Sequence, residues 1–109
     1  MYRQFPEIKK VYLKYGFTDL RKGTAGLESI IKLHFGKDPM EPGALFLFCG
    51  RSCSKMKALI WDNDGFILIK KELSRGRYCW PRDADDLKYI SEESFARLLD
   101  GFTIDSSIR

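Results

Sequence analysis

The chain lacks the long apolar runs, the export signal and the paired cysteines that mark several classes of protein. Its longest uninterrupted apolar run, Ala44 to Cys49, is far shorter than the roughly 18 residues of a membrane-spanning helix. No basic segment followed by an apolar one opens the sequence, so we expect no export. Three cysteines are an odd number, which favours reduced thiols over a disulfide framework. We therefore expect a soluble cytoplasmic protein without membrane contact.

Motifs for catalysis and for cofactor binding are also missing. The sequence has one histidine, His34, on which any Ser or Cys triad would depend. It contains no Gly-x-Ser-x-Gly elbow, no Gly-x-x-x-x-Gly-Lys-Ser/Thr phosphate loop and no Gly-x-Gly-x-x-Gly turn. We expect a protein that is not an enzyme, needs no cofactor and takes no small-molecule substrate.

Two sets of side chains could in principle hold metal ions, and both have a simpler interpretation. The four possible zinc ligands are Cys49, Cys53, Cys79 and His34. Three residues separate Cys49 from Cys53, but no paired knuckle with short spacing occurs, and free cysteines are often simply buried. The aspartates are clustered in turns, where Asp is favoured because it hydrogen-bonds to its own backbone. These aspartates are Asp62, Asp64, Asp83, Asp85 and Asp86. Neither set predicts a metal site.

What the sequence does have is a globular composition with uneven charge. Its 109 residues are 44% apolar and 31% charged, and eight Phe, five Tyr and two Trp suffice for one compact core. We expect a single domain over residues 1–109, with its core at about 8–103. Residues 1–82 hold sixteen Lys and Arg against eight Asp and Glu, whereas residues 83–109 hold three against seven. A basic body with an acidic tail is expected of a protein that meets a polyanion.

The middle of the chain predicts an antiparallel β-meander. Its strongest local signal is the turn Asp62 to Gly65, whose Asp, Asn and Gly residues are typical of a β-hairpin. The apolar run Ala44 to Cys49 predicts a strand covered on both faces. The predicted strands of the meander are residues 44–49, 55–61, 65–70 and 77–80.

One strand and one helix are predicted before the meander, and a second helix after it. Residues 10–15 are rich in β-formers and place Val11, Leu13 and Tyr15 on one face, which predicts a short strand. The first helix has a candidate cap at Thr18 or Asp19, although two glycines favour a later start. Ser91 caps the last helix. The predicted apolar faces are Leu20, Leu27, Ile30, Ile31 and His34 or Phe35 in the first helix, and Phe95, Leu98, Leu99 and Phe102 in the last. The predicted fold class is α+β, in one small domain.

Basic side chains are interleaved with aromatic ones along these strands. This combination suits contacts to phosphates and stacking on bases. Alternatively, Tyr78 and Trp80 are core residues, and the lysines lie on edge strands, where their charge prevents aggregation through pairing with other chains. The predicted nucleic-acid-binding residues are Arg21, Lys22, Arg51, Lys55, Lys57, Arg75, Arg77, Tyr78 and Trp80. Further basic residues border the second turn, namely Lys70, Lys71 and Arg82.

An ordered series of motifs resembles one family over about residues 8–103. The series is Thr18 to Gly23, Leu45 to Arg51, Lys55 to Phe66, Lys70 to Leu73, Arg75 to Pro81 and Leu98 to Phe102. In this order and spacing it is similar to the TnpB accessory proteins of insertion sequences of the sixty-six type, which are distinct from the RNA-guided nuclease of the same label. This chain departs from the usual pattern of that family at two places, and each departure leaves fewer basic side chains on the surface. The two places are Ser52 to Ser54, which follow Arg51, and Glu72, which follows Lys71.

The resemblance implies a non-catalytic accessory role in DNA transposition, beside a larger protein that carries the acidic triad of a transposase. The implied partners are DNA, at the ends of the element, and the transposase of the same element. Two other interpretations stay open. One is a protein-interaction subunit whose basic face meets an acidic transposase surface. The other is a small basic ribonuclease of the toxin type that uses Arg77, Tyr78 and His34.

Overall fold

A mixed five-stranded sheet forms the centre of the computed structural model, which describes residues 5–101. Its elements are β1 (Lys10–Lys14), α1 (Thr24–Ser29), β2 (Ala44–Cys49), β3 (Lys55–Trp61), β4 (Phe66–Glu72), β5 (Leu87–Ile90) and α2 (Glu92–Leu99). The strand order is β4-β3-β2-β1-β5, with β1 and β2 parallel and all other neighbours antiparallel. The predicted α+β fold class is confirmed, whereas the single domain over residues 1–109 stays a prediction.

The central strand β2 is covered on both faces, as its apolar run predicts. All six of its residues are buried, and alternate side chains enter two separate clusters. One cluster contains Leu27 and Ile31 from the first helical segment, and we call this side of the sheet the α1 face. The other contains Leu98 of α2, and we call it the α2 face. The two helical segments therefore lie on opposite sides of the sheet, and each buries its own apolar stripe.

The predicted hairpin is confirmed. β3 and β4 pair in the register that places Trp61 opposite Phe66, and their rings pack edge to face at 5.0 Å. The turn closes with a 2.7 Å hydrogen bond from the Asp62 amide to the Gly65 carbonyl. Asn63 has a φ of 56°, a left-handed conformation that Asn tolerates better than most residues.

The predicted strand at residues 77–80 is wrong, so the meander has the three strands β2, β3 and β4. This segment is irregular because its hydrogen bonds go to separate places in the fold. The Tyr78 amide donates to the Cys53 carbonyl at 2.8 Å, and the Trp80 indole N–H donates to the Lys14 carbonyl at 2.8 Å. The fifth strand, β5, was not predicted and pairs with the free edge of β1.

The first helix starts late, at Thr24, and not at a cap on Thr18 or Asp19. It continues as a π-helical turn over Ile30–His34, where the Phe35 amide donates to the Ile30 carbonyl at 3.2 Å. Gly36, with a φ of 65°, then ends the helical segment, as expected from its left-handed conformation.

The cap of the last helix is confirmed, but its apolar face is narrower than predicted. Ser91 Oγ accepts a 3.0 Å hydrogen bond from the Ser94 amide. Leu98 is fully buried, whereas Leu99 is 39% exposed, and Phe102 lies outside the described residues. None of the helices between residues 5 and 101 is long and apolar enough to cross a membrane.

Candidate nucleic-acid interface

Basic side chains from distant parts of the chain line one surface pocket of about 750 Å³. It lies where the segments that follow the parallel strands β1 and β2 meet. The Thr18 amide joins these segments by donating to the Cys49 carbonyl at 2.8 Å. The cationic lining residues are Arg21, Arg51, Lys55, Lys57 and Lys70, and Asp19 is the one carboxylate among the described lining residues. The arrangement gives the pocket a positive charge.

Lys57 and Lys70 form the centre of this charge because they are direct cross-strand neighbours on β3 and β4. Like charges in this arrangement repel and destabilise a sheet. Neither ammonium group has a salt bridge to a carboxylate within residues 5–101. Lys57 Nζ instead donates to the Lys22 backbone carbonyl at 3.1 Å, which holds the amine near the pocket. Within the part of the chain that the structure describes, the fold thus keeps two adjacent cations without a carboxylate partner.

Arg21 is the exception among the cations, because Asp19 engages its guanidinium. Arg21 Nη2 donates to Asp19 Oδ2 at 2.8 Å, and Arg21 Nε donates to Asp19 Oδ1 at 3.0 Å. Hydrogen bonds from the Arg21 side chain, and then from its backbone, hold the pKa of Asp19 well below its usual range. Asp19 therefore stays ionised and offsets the charge of Arg21. Arg51, Lys55, Lys57 and Lys70 supply the remaining positive charge of the pocket.

The other predicted basic residues lie outside the pocket lining. Lys22 contributes its backbone carbonyl, as the acceptor from Lys57. Arg75 and Arg77 are exposed on the irregular segment after β4. The Leu73 amide donates a 2.8 Å hydrogen bond to the Ser54 carbonyl, and this holds the segment beside the loop between β2 and β3. A contact of Arg75 or Arg77 with nucleic acid stays a prediction.

Tyr78 and Trp80 belong to the core, which corrects their assignment as base-stacking residues. They are 3% and 5% exposed and pack edge to face at 6.3 Å on the α2 face. A ring that is covered in this way has no free surface on which a base could stack. Both are core residues, as the alternative interpretation had it, because the segment 77–80 packs over the sheet and does not form a further strand of it.

The three residues of the ribonuclease interpretation are not brought together. Tyr78 is buried on the α2 face, and Arg77 is exposed beside it in sequence. His34 lies at the end of the helical segment on the α1 face, where its Nε2 is 2.9 Å from Asp85 Oδ2. An imidazole and a phenol on opposite sides of a sheet cannot act on one substrate, so the geometry gives this set no common site.

The cysteines and His34 do not share a site either. Cys49 and Cys53 are buried on the α2 face, and burial raises the pKa of the Cys49 thiol to about 12. Cys79 is exposed, and its Sγ donates to the Gly101 carbonyl at 3.1 Å. In the described part of the chain, no three His, Cys, Asp or Glu side chains are placed to hold a metal ion.

Lys70 lines the pocket but was not among the predicted nucleic-acid-binding residues, although the hairpin indicated its position. Once Trp61 pairs with Phe66 across the turn, the antiparallel register places Lys57 opposite Lys70. The lining residues Phe17, Thr18 and Leu20, which precede α1, were not among the predicted residues either. These carry no local signal, because their position depends on the parallel pairing of β1 with β2.

Comparison with known proteins places the chain in a family. A family model described as IS66 Orf2 like protein matches residues 9–109. The uncharacterized protein y4hO of Sinorhizobium fredii is 35% identical over 92 residues, which cover 84% of this chain and 79% of that protein. The uncharacterized protein y4jC of the same organism is 31% identical over 83 residues, which cover 76% and 70%. No solved structure matches. Because the family model spans nearly the whole chain, the protein belongs to the IS66 Orf2-like family of insertion-sequence proteins, which have an accessory role in transposition.

Proposed function

We propose that this protein is a non-enzymatic transposition accessory that binds DNA through the pocket on the α1 face. The observation that carries the proposal is the adjacent pair Lys57 and Lys70, which has no carboxylate partner within residues 5–101. Arg51 and Lys55 add to it from the same pocket. Closely spaced cations on a rigid sheet match the repeated negative charge of a phosphate backbone. Its site of action is then the cytoplasm, with the ends of the element and the transposase as partners.

The α1 and α2 faces of the sheet carry different charge, and this difference suggests how the protein is oriented on DNA in the proposed complex. The pocket opens beside β3 and β4 on the α1 face, whereas α2 presents Glu92 and Glu93 to solvent on the opposite side of the sheet. DNA attracted to the basic side would be repelled by the acidic helix. We infer that the protein meets DNA with its pocket side and turns α2 away.

The proposal is tested by the salt dependence of DNA binding. We expect log affinity for duplex DNA to fall with log salt at about −0.9 per phosphate neutralised. Lys55→Met and Lys57→Met should each reduce that slope by about one unit and weaken binding to all sequences alike, because phosphate contacts carry no sequence information. Lys71→Met is the matched control. It removes the same charge from β4, but on the α2 face, beside Met56 in the register.

Two results would contradict the proposal. One is DNA binding whose salt slope is the same in Lys57→Met as in the unmodified protein. The other is no binding to element-end or unrelated DNA at low salt, together with co-purification with the transposase that Lys57→Met abolishes. The second result would identify the pocket as a surface for an acidic region of the transposase.

A further inference from the structure

The pocket combines positive charge with apolar walls. Phe17 and Leu20 line it together with the cations, and both are half-buried. Its volume of about 750 Å³ falls within the range of roughly 300–1,000 Å³ that is usual for small-molecule sites. A flat electrostatic contact to duplex DNA needs neither a recess nor an apolar wall. The shape therefore suits a group that protrudes from a nucleic-acid strand.

The two central lysines are placed to hold one anion between them. Directly opposite residues of an antiparallel pair have Cβ atoms about 4.5–5.5 Å apart, so both ammonium groups can reach a single tetrahedral anion. The Lys22 carbonyl already positions Lys57 Nζ. An anion bound here would lie against both ammonium groups and offset the repulsion between these two like charges.

An unpartnered hydroxyl in the wall of the pocket is a second, independent observation. Thr18 is 7% exposed, and its Oγ1 has no hydrogen-bond partner among the described residues. A buried polar group without a partner is costly and calls for an explanation. Rotation about χ1 by about 120° moves the hydroxyl to another staggered position, such as the one that the methyl group occupies, and changes the direction in which it can donate. An anion in the pocket supplies an acceptor for that hydroxyl.

We propose that this pocket is a phosphate site, in which Lys57 and Lys70 hold a phosphate group of a nucleic-acid strand and Thr18 donates to it. Leu20 and Phe17 then contact the attached sugar or base. The proposal rests on the proposed function for the source of the phosphate, but the site itself can be measured without DNA. The phosphate is either a strand end or an internal diester, which share this chemistry.

The site is tested by titrating the ¹⁵N-labelled protein with inorganic phosphate while sodium chloride keeps the ionic strength constant. We expect saturable shifts of the Thr18, Gly50 and Lys57 amide signals. Lys70→Met should weaken binding roughly tenfold, the usual effect of losing one charge-assisted hydrogen bond. Thr18→Val, which keeps the shape but removes the hydroxyl, should also weaken binding, and Thr18→Ser should restore it. Lys71→Met should bind as the unmodified protein does.

Single-stranded oligonucleotides with and without a 5′-phosphate distinguish the two sources. If the protein binds the phosphorylated strand more tightly, the phosphate in the pocket is that of a strand end. If it binds both strands equally, and Lys70→Met loses this binding, the phosphate is an internal diester. Lys70 is exposed, so its variant keeps the fold and the test stands even if Thr18→Val unfolds. Shifts that do not saturate, or that are unchanged in Lys70→Met, overturn the phosphate site. DNA binding without phosphate binding leaves the proposed function intact and overturns the phosphate site. Phosphate binding without DNA binding refutes the proposed function and the nucleic-acid source of the phosphate, but leaves the site itself.

Discussion

Replacing Trp80 by phenylalanine tests whether this segment belongs to the core or to a binding surface. The indole of Trp80 is 5% exposed, and its N–H donates to the Lys14 carbonyl at 2.8 Å. That bond fastens the segment before β5 to the end of β1. Phenylalanine keeps an aromatic ring at this position but cannot donate, so the Lys14 carbonyl loses a buried partner.

The expected cost follows from this geometry. Leaving a buried acceptor unsatisfied costs about 1–3 kcal/mol of unfolding free energy, and the smaller ring adds the cost of a partly empty space. In a domain of this size, each 1 kcal/mol lowers the melting temperature by roughly 4–8 °C. We therefore expect Trp80→Phe to melt about 4–24 °C below the unmodified protein.

Thermal unfolding followed by circular dichroism measures this shift, and Trp61→Phe is the matched control. Trp61 is half-buried and packs on Phe66, but its indole has no hydrogen-bond partner in the described part of the chain. Its replacement should therefore lower the melting temperature by less. The salt slope of DNA binding should be unchanged in Trp80→Phe, because the ring does not reach the surface.

The opposite pattern of results would place Trp80 outside the core. A Trp80→Phe or Trp80→Ala protein with an unchanged melting temperature would not have lost a core contact. If such a protein also bound single strands about 1–3 kcal/mol more weakly, Trp80 would be a base-stacking residue.

Two further predictions concern stability. Burial raises the pKa of Cys49 from 9.0 to about 12, so between these values the folded chain retains a proton that the unfolded chain has lost. The free energy of unfolding should then fall with rising pH, by up to about 1.4 kcal/mol per pH unit, and urea unfolding of Cys49→Ala between pH 9 and 11 should lack this contribution. Ser91→Ala removes the acceptor for the Ser94 amide and should lower the free energy of unfolding by about 1 kcal/mol, measured by urea unfolding. An unchanged urea midpoint would show that the stability of α2 does not depend on this cap.

Elements with a local signal were predictable from the sequence. The turn Asp62 to Gly65 and its apolar flanks predicted the β3–β4 hairpin, and the apolar run of β2 predicted the strand buried on both faces. Ser91 predicted the start of α2. In each case the residues that decide the structure are neighbours in the chain, so their conformational preferences do not depend on contacts with distant residues.

Elements whose stability comes from distant partners were not predictable in this way. Residues 77–80 are rich in β-formers, but the bond from Trp80 to Lys14 places them across the fold and outside the sheet. Leu87–Ile90 has only four residues and is buried only at its two ends, so it shows no alternation. It becomes β5 because the edge of β1 offers unpaired backbone groups that require partners.

The sequence by itself determined the division into a basic body and an acidic tail, the family and the fold class. Only the tertiary structure decided which basic residues lie together in one pocket. Parallel pairing of β1 with β2 brings the segment after β1 beside the β2–β3 loop, and this places Arg21 in the same pocket as Arg51, Lys57 and Lys70. Hydrogen bonds to the carbonyls of Cys53 and Lys14 hold the segment 77–80 against the sheet, where Tyr78 and Trp80 are buried. The pairing of β1 with β2 joins residues more than 30 positions apart, as Val11 with Leu45, and no local pattern encodes a contact at that separation.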